Sequence, residues 1–460
     1  MGDILLPKGW VLAPIAQLIS IDGLISDGDW VESKDQDING SVRLIQLADV
    51  GDGYFQNKSN RFMSIEKAKA LNCTFLKQGD LLIARLPAPL GRTCIFPEIG
   101  QKSVTVVDIC IIRTSNNSAI TNSVLTYWLN SPFMRNEIEV NSSGTTRKRI
   151  TRKKLEQFVI PLPPMPEQKI IAEKLDLLLA QVQETKSRLE QIPELLKQFR
   201  QSVLSDACFC DFSTNSDKYQ FWKKSSLKEL TTKIGSGSTP KGGNNVYKNK
   251  GIPLVRSMNI YSNYIKYDDL AYIDDEQAKK LANVEIQPDD ILLNITGASI
   301  GRVNIAPQLF VGGRVNQHVS IIRCKKQKLL PKFLQIYLAS PEIQKWIVKE
   351  NYGATRQALT KSMIEKLIIS YPPIQEQIEI VRHVEQLFAY ADKIEQQVNT
   401  ALEKVNHLPQ SILAKAFRGE LTTQWRAENV DLITGENSAA SLLEKIQVER
   451  EQNNKNKKKK

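Results

Sequence analysis

Residues 163–168 read Pro-Pro-Met-Pro-Glu-Gln, and the same step recurs 209 residues later as Pro-Pro-Ile-Gln-Glu-Gln at residues 372–377. A proline pair is poorly tolerated inside a helix but can stand just before one. Each step is followed by a long apolar repeat with helical spacing. We therefore predict that a long helix begins near Pro166 and that a related helix follows the second step.

The rest of the chain repeats with nearly the same spacing. Gly91-Arg92 recurs 210 residues later as Gly301-Arg302. Gly-Thr-Thr-Arg at residues 144–147 recurs 209 residues later as Gly-Ala-Thr-Arg at residues 353–356. Chance matches would scatter over many offsets, whereas these stay within one residue of a single offset. The chain is therefore an internal duplication, and its two copies should share one fold.

Both helical segments carry apolar residues at alternating spacings of four and three, which is the pattern of a coiled coil. The positions expected to pair are Ile171, Leu175, Leu178, Val182, Leu189 and Phe199 in the first helix, and Ile380, Val384, Leu387, Ile394, Val398 and Leu408 in the second. About forty residues of helix would form a rod of roughly 60 Å. Pro193 and Pro409 are expected to kink or interrupt the two helices.

The part of each copy that precedes its helix has a mixed pattern. Strand-like runs lie at residues 42–47, 81–84, 104–112 and 319–322, and short helical patterns lie at residues 123–130 and 332–339. The predicted fold class is α+β, with two homologous β-rich domains separated by two long helices. The helices could pack parallel or antiparallel. We expect an antiparallel coiled coil, which would send the two β-rich domains to opposite ends of the helices and relate them as a pseudo-two-fold internal repeat.

Composition restricts the class of protein. The 460 residues carry 62 basic and 50 acidic side chains, a net charge of +12, which favours a polyanionic partner such as nucleic acid. No apolar run is long enough to span a membrane, and the N-terminus has no basic segment followed by an apolar one, so a cytoplasmic protein is expected. The six cysteines and three histidines show no paired spacing for zinc, so no metal site is expected.

The duplicated motifs resemble those of a known family, the specificity subunits of type I restriction-modification systems. The resemblance lies in the Gly-x-Thr-Arg loop, the Pro-Pro-x-x-Glu-Gln step and their recurrence half a chain later. Ile-Gly-Ser-Gly-Ser-Thr-Pro at residues 234–240 is similar to the opening of that family's second recognition domain, and residues 410–421 are similar to its distal conserved region. The first domain departs from the pattern, with residues 20–29 in place of a Ser-Gly-Ser-Thr-Pro opening.

The resemblance implies a domain organisation for the chain and a separate role for each domain and each partner subunit. Target recognition domains at residues 1–160 and 211–370 would each read one half of a bipartite double-stranded DNA site. Helical regions at residues 161–210 and 371–426 would set the spacer and dock two methylation subunits, with restriction subunits completing the full complex. Residues 427–460 lie beyond the stretch that carries the resemblance and are predicted to form a C-terminal helix and a lysine-rich tail, which is unusual for the family. S-adenosylmethionine, ATP and Mg would be bound by the partner subunits and no cofactor by this chain.

The residues themselves point to a non-catalytic chain. An adenine methyltransferase needs an Asn- or Asp-Pro-Pro-aromatic loop to hold the flipped base. The Pro-Pro pairs at residues 163–164 and 372–373 lack both the polar and the aromatic neighbour. A phosphate loop of the form G-x-x-x-x-G-K-[ST] is also missing from the sequence. N6-adenine methylation and ATP-dependent cleavage are therefore expected on other subunits.

Candidate DNA-binding residues are basic or amide side chains and small hydroxyl residues near glycines, since these bond to base edges and phosphates. In the first domain they are Arg85, Arg92, Thr145, Thr146, Arg147, Lys148 and Arg149. In the second domain they are Ser236, Ser238, Thr239, Lys241, Thr296, Arg302, Arg314, Gln317, Arg356 and Gln357. Arg92 and Arg302 follow matched glycines and could equally be structural.

The sequence alone leaves three alternative hypotheses for the function of the chain. A coiled-coil scaffold that joins proteins without touching DNA would explain the heptads but not the two basic, β-rich domains. A specificity subunit of another bipartite-site modification enzyme would share every motif, and the neighbouring genes would distinguish it. A stand-alone DNA-binding regulator would bind tightly without a methyltransferase.

Overall fold

The computed structural model describes residues 6–86, 89–144, 147–209, 222–240, 247–350 and 358–457, with side chains to residue 453. The chain divides into two compact units. Unit 1 comprises Met1–Arg188 together with Leu402–Lys460, and unit 2 comprises Leu189–Ala401. Each unit therefore contains one β-rich part and a portion of both long helices.

The strands are β1 (Val11–Pro14), β2 (Leu24–Asp27), β3 (Val42–Ile45), β4 (Phe62–Met63), β5 (Leu81–Ala84), β6 (Thr93–Ile95), β7 (Ser103–Thr105), β8 (Ile109–Arg113), β9 (Val159–Leu162), β10 (Lys223–Ser226), β11 (Thr231–Ser236), β12 (Ile252–Val255), β13 (Ala271–Ile273), β14 (Ile291–Asn294), β15 (Val303–Ile305), β16 (Arg314–Val315), β17 (Val319–Cys324) and β18 (Ile368–Tyr371). The α-helices are α1 (Ile15–Leu18), α2 (Ile65–Ala70), α3 (Asn122–Leu129), α4 (Pro132–Val140), α5 (Arg152–Gln157), α6 (Met165–Phe209), α7 (Leu227–Leu230), α8 (Asp275–Lys280), α9 (Pro331–Ala339), α10 (Pro341–Glu350), α11 (Lys361–Lys366), α12 (Ile374–Phe417), α13 (Thr423–Glu428) and α14 (Ala439–Lys457).

The β-rich part of unit 1 contains a four-stranded sheet of order β2-β8-β5-β6, a three-stranded sheet of order β4-β3-β7 and the pair β1-β9. Strand β5 is buried on both faces: Leu81 and Ile83 enter one apolar core, and Leu82 and Ala84 enter another. This two-sided burial explains why its sequence is a continuous apolar run rather than an alternating one. The run at residues 104–112, expected as one strand, forms β7 and β8 with a turn between them that the Ile109 N–H closes on the Val106 carbonyl at 3.0 Å.

Unit 2 repeats this topology strand for strand. Its sheets have the orders β11-β17-β14-β15 and β13-β12-β16, and β10 pairs with β18. The register is also the same: Leu82 faces Ile111 in unit 1, and Leu292 faces Ile321 in unit 2. The duplication predicted from sequence is thus confirmed at the level of strand order and register.

The Glu-Gln of the repeated step fixes the start of each long helix. Gln168 is fully buried, and its amide donates to the Ala119 and Pro163 carbonyls at 2.7 and 3.0 Å. Its counterpart Gln377 donates to the Lys328 and Pro372 carbonyls, both at 2.9 Å. The motif therefore ties the first turn of α6 and of α12 to the domain that precedes it.

The long helices pair in opposite directions, as expected. In unit 1, Ile171 and Leu175 from the start of α6 share a core with Leu413 and Phe417 from the end of α12. In unit 2, the end of α6 and the start of α12 share a core, and Arg200 forms ion pairs with Asp392 and Glu395 at 2.6 and 2.9 Å.

Two details of the helix prediction are wrong. Neither Pro193 nor Pro409 interrupts its helix, so the predicted interruption is wrong, and a kink at either proline stays a prediction. Phe199 and Leu408 are 37% and 43% exposed rather than packed into the pairing stripe. Val203 and Val405, on the same two apolar stripes, are buried. Phe199 and Leu408 therefore lie at the edge of the stripe on their helix.

The other pairing positions divide by depth. Ile171, Leu175, Val384 and Val398 are buried, and the remaining positions are partly buried: Leu178, Val182, Leu189, Ile380, Leu387 and Ile394.

The chain beyond α12 packs on the core of unit 1. Ala439 and Ile446 of α14 are buried there, and Arg450 donates to the Ala16 carbonyl at 2.6 Å. Within the described part of the chain, no helix is long and apolar enough to cross a membrane.

Candidate nucleic-acid interface

In unit 2 a glycine lets two polar loops meet. Gly237 follows β11, and its N–H donates to the Asn316 carbonyl at 3.1 Å. A Cβ atom at this position would lie 1.8 Å from the Val315 carbonyl oxygen, so only glycine fits. The close approach brings residues 238–240 over the loop at residues 316–318.

Three polar side chains on these loops and Thr296, which follows β14, form one hydrogen-bonded chain. The Thr239 hydroxyl donates to the Gln317 amide oxygen. The Gln317 amide nitrogen lies 2.9 Å from Nε2 of His318, and Nδ1 of His318 lies 2.5 Å from Oγ1 of Thr296. Gln317 is exposed. The structure thus brings together three of the candidate residues of unit 2 and joins them through a histidine that sequence reasoning did not select.

Arg302 lies beside a pair of aromatic rings. Its guanidinium carbon is 4.2 Å from the centroid of the Tyr261 ring, which stacks on Tyr264 with centroids 4.3 Å apart. The hydrogen bond from Tyr264, followed by that from Arg302, lowers the pKa of Tyr261 below its ordinary value. Arg302 remains partly exposed and so keeps part of its guanidinium available to a ligand.

Arg314 was expected to contact DNA, and the structure contradicts this. The side chain is 7% exposed, donates to the Ala278, Gly312 and Gly313 carbonyls, and forms an ion pair with Glu285 at 3.0 Å. A guanidinium committed to three backbone carbonyls and a carboxylate holds the fold together rather than reading bases.

The same correction applies to Arg85 of unit 1. It is 3% exposed, pairs with Asp27 at 2.7 Å and donates to the Val107 carbonyl. Burial lowers the pKa of the Arg85 guanidinium, an effect that the charge of Asp27 opposes. Arg85 therefore serves as the buried centre of an ionic network.

The surface of unit 1 that corresponds to the polar chain of unit 2 is ionic. Asp27 also pairs with Arg152 at 3.2 Å, and Arg149 pairs with Asp108 at 3.3 Å. Gly28 follows β2 as Gly237 follows β11, and a Cβ there would lie 2.2 Å from the Val106 carbonyl oxygen. The unrecognised opening of the first domain is thus Asp27-Gly28-Asp29. Its signal in the sequence was a glycine 209 residues before Gly237.

Trp30 is a further feature that sequence reasoning missed. It follows the Asp27-Gly28-Asp29 opening, and it is 70% exposed. Its only polar contact in the described structure joins the indole N–H to Glu32 at 3.3 Å. A large exposed aromatic ring at this place is suited to contact with a ligand surface.

A basic hairpin lies next to the ionic network of unit 1. Ser143 and Arg149 exchange both backbone hydrogen bonds, and Gly144 adopts a φ of +102°. Arg147 and Lys148 are exposed between them, with Lys148 pairing with Glu139 at 3.0 Å. The hairpin presents positive charge to solvent, as a phosphate contact requires.

The remaining candidates fall into two groups. Thr145, Thr146, Lys241, Arg356 and Gln357 lie outside the described residues. Ser236 pairs with Ser320 in the sheet, Ser238 is exposed and Arg92 is partly exposed. Among the described residues, no group of histidine, cysteine, aspartate and glutamate side chains could hold a metal ion.

Comparison with known proteins finds the same family for both units. A family model described as the type I restriction modification DNA specificity domain matches the chain twice, at residues 7–194 and 219–404. The specificity subunit of type I restriction enzyme EcoBI from Escherichia coli is 43% identical over 69% of this chain and 70% of that protein. The EcoKI specificity subunit from Escherichia coli K12 is 34% identical over 97% of this chain and 96% of that protein.

A solved structure shares the fold. The HsdS subunit from Thermoanaerobacter tengcongensis superposes with a TM-score of 0.63 at 18% identity, over 91% of this chain and 99% of that one.

Proposed function

Because the chain belongs to the family of type I restriction modification DNA specificity subunits, we propose that it selects a bipartite DNA site, with each unit reading one half. The paired long helices set the number of unread base pairs between the halves. The chain is proposed to have no catalytic role of its own. Two methylation subunits, which use S-adenosylmethionine, act on the site that it selects. Restriction subunits, which use ATP and Mg, complete the cytoplasmic complex.

The observation that carries this proposal is that the two units share one backbone fold but present different polar side chains on it. Units 1 and 2 share strand order and register. At the same place on that framework, unit 2 has a neutral chain of threonine, glutamine and histidine, whereas unit 1 has aspartate and arginine pairs. Two unlike surfaces on one framework suit the reading of two unlike base sequences, since base readout depends on the pattern of donors and acceptors.

The long helices are suited to a second task, the docking of protein partners. Apolar side chains also lie on their surfaces outside the pairing stripe, and Leu177, Leu195 and Tyr390 are each more than half exposed. We propose that surfaces of the helices contact the methylation subunits. The exposed hairpin at Arg147 and Lys148 contributes phosphate contacts, which position the complex without reading sequence.

Mapping of N6-methyladenine across the host genome tests the proposal. The expected result is a two-part methylated motif that disappears when the gene for this chain is deleted and returns with a plasmid copy. A methylome that is unchanged by the deletion would refute the proposal. A motif with a single uninterrupted part would refute the assignment of one half-site to each unit.

A further inference from the structure

We propose that Gln317 reads an adenine in the half-site of unit 2 and that His318 is the positioning residue that holds Gln317 ready for it. This inference rests on the proposed function and adds a base and an orienting residue to it. It starts from the chain Thr239–Gln317–His318–Thr296, in which each side chain bonds to the next.

The bonding pattern determines the state of the histidine ring. An amide nitrogen can only donate, so Nε2 of His318 must accept the bond from Gln317. The ring is therefore neutral, with its proton on Nδ1, and Nδ1 donates to the Thr296 hydroxyl at 2.5 Å. The Thr296 hydroxyl, which can accept as well as donate, is compatible with this tautomer, and the ring contacts Gln317 through Nε2.

The same contacts leave a defined pattern on Gln317. Its amide nitrogen carries two hydrogens, of which His318 takes one. Its oxygen has two lone pairs, of which the Thr239 hydroxyl takes one. Among the contacts of the described residues, one donor and one acceptor remain on this exposed side chain. This pair is complementary to N7 and N6 of adenine in the major groove, where glutamine forms two parallel bonds.

Unit 1 has the same backbone at this place but not the same chemistry. The Arg85 N–H donates to the Asp108 carbonyl at 3.0 Å, as the Ile295 N–H donates to the His318 carbonyl at 3.0 Å. Asp108 therefore occupies the position of His318, and its carboxylate pairs with Arg149. The adenine contact belongs to unit 2 alone, and the other half-site serves as an internal control.

The experiment uses the complex of this chain with its methylation subunits and a duplex that carries the mapped bipartite site. Each adenine in both half-sites is replaced in turn by 7-deazaadenine, which pairs normally but lacks the N7 acceptor. For the wild-type chain, we expect one adenine in one half-site at which the replacement weakens binding through Gln317. The loss should be smaller than the roughly 5- to 150-fold of a whole paired base contact, because the bond to N6 remains.

The variants Gln317→Ala and His318→Phe should bind the unmodified site more weakly and lose their sensitivity to 7-deazaadenine at that one position. His318→Gln should keep part of the sensitivity, because its side-chain oxygen can still accept the bond from Gln317. All variants should respond as the wild type does at the adenines of the other half-site, which shows that they are folded.

Each contrary result has a distinct meaning. If no adenine distinguishes Gln317→Ala from the wild type, the adenine contact is refuted. If Gln317→Ala loses the sensitivity and His318→Phe keeps it, His318 does not position the amide. If the wild-type complex does not prefer its bipartite duplex to a scrambled one, the proposed function itself fails.

Discussion

Replacing Arg426 by alanine should destabilise unit 1 far more than an ordinary loss of surface charge. Glu167, in the first turn of α6, is fully buried and accepts hydrogen bonds from the Trp10 indole at 2.7 Å and the Thr422 hydroxyl at 2.6 Å. Arg426 supplies the balancing charge at 2.5 Å and is itself only 11% exposed. Arg426→Ala leaves a buried carboxylate without a cation, at a cost of about 3–5 kcal/mol.

The matched control is Arg418→Ala. Arg418 also pairs with a glutamate, Glu420, at 2.6 Å, but both side chains are about half exposed, so its loss should change stability little. Thermal unfolding followed by tryptophan fluorescence measures the difference, because Trp10 lies in the affected network. At about 2–4 °C per kcal/mol, the transition of unit 1 should fall by roughly 6–20 °C in Arg426→Ala. Equal midpoints for the two variants would show that the Glu167 network does not stabilise unit 1.

Three further outcomes are expected. Gly237→Ala should abolish sequence discrimination at one half-site in a methylation assay, since its Cβ would lie 1.8 Å from a carbonyl oxygen. Gly235→Ala should leave the same assay unchanged, because its Cβ would lie 3.6 Å from the nearest atom. Arg314→Ala should lower the free energy of unfolding in urea by roughly 1–3 kcal/mol for the carbonyls left unpaired, without a change in the bases preferred. Arg147→Ala and Lys148→Ala should each weaken binding to all sequences and reduce the slope of log affinity against log salt by about one; an unchanged slope would exclude a phosphate contact.

The fold was largely predictable from sequence because the two copies carry the same motifs at matched positions, so each copy supports the prediction for the other. The Pro-Pro-x-x-Glu-Gln step located the starts of α6 and α12 to within a residue or two. The heptads predicted the pairing of these helices, which the buried residues Ile171 and Val384 confirm. The turn that separates β7 from β8 was missed, since the run at residues 104–112 is apolar on both sides of a single aspartate, Asp108.

The candidate site was less predictable, because residue type does not reveal depth. Arg85 and Arg314 have the chemistry of DNA contacts, yet both are buried on backbone carbonyls. His318 has no motif around it, and its role depends on the approach of Thr239 and Thr296, which are distant in sequence. The exposed Trp30 had no signal beyond a glycine two residues earlier at the repeat spacing. The burial or exposure of these side chains depends on contacts between loops that are distant in sequence. The spacing of the internal repeat does not predict such contacts.

The structure also explains how two copies of one framework can differ where they would meet DNA. Backbone bonds hold the loops in both units: the Ile150 N–H donates to the Arg85 carbonyl at 3.2 Å, and the Leu359 N–H donates to the Ile295 carbonyl at 2.8 Å. Since these bonds do not depend on side chains, Asp108 and His318 can occupy one backbone position with different chemistry. The buried Gln168 and Gln377, by contrast, tie each domain to its helix through side-chain bonds and are the same in both copies. Half-site preference can therefore change by substitution on the loops while the helical spacer stays intact.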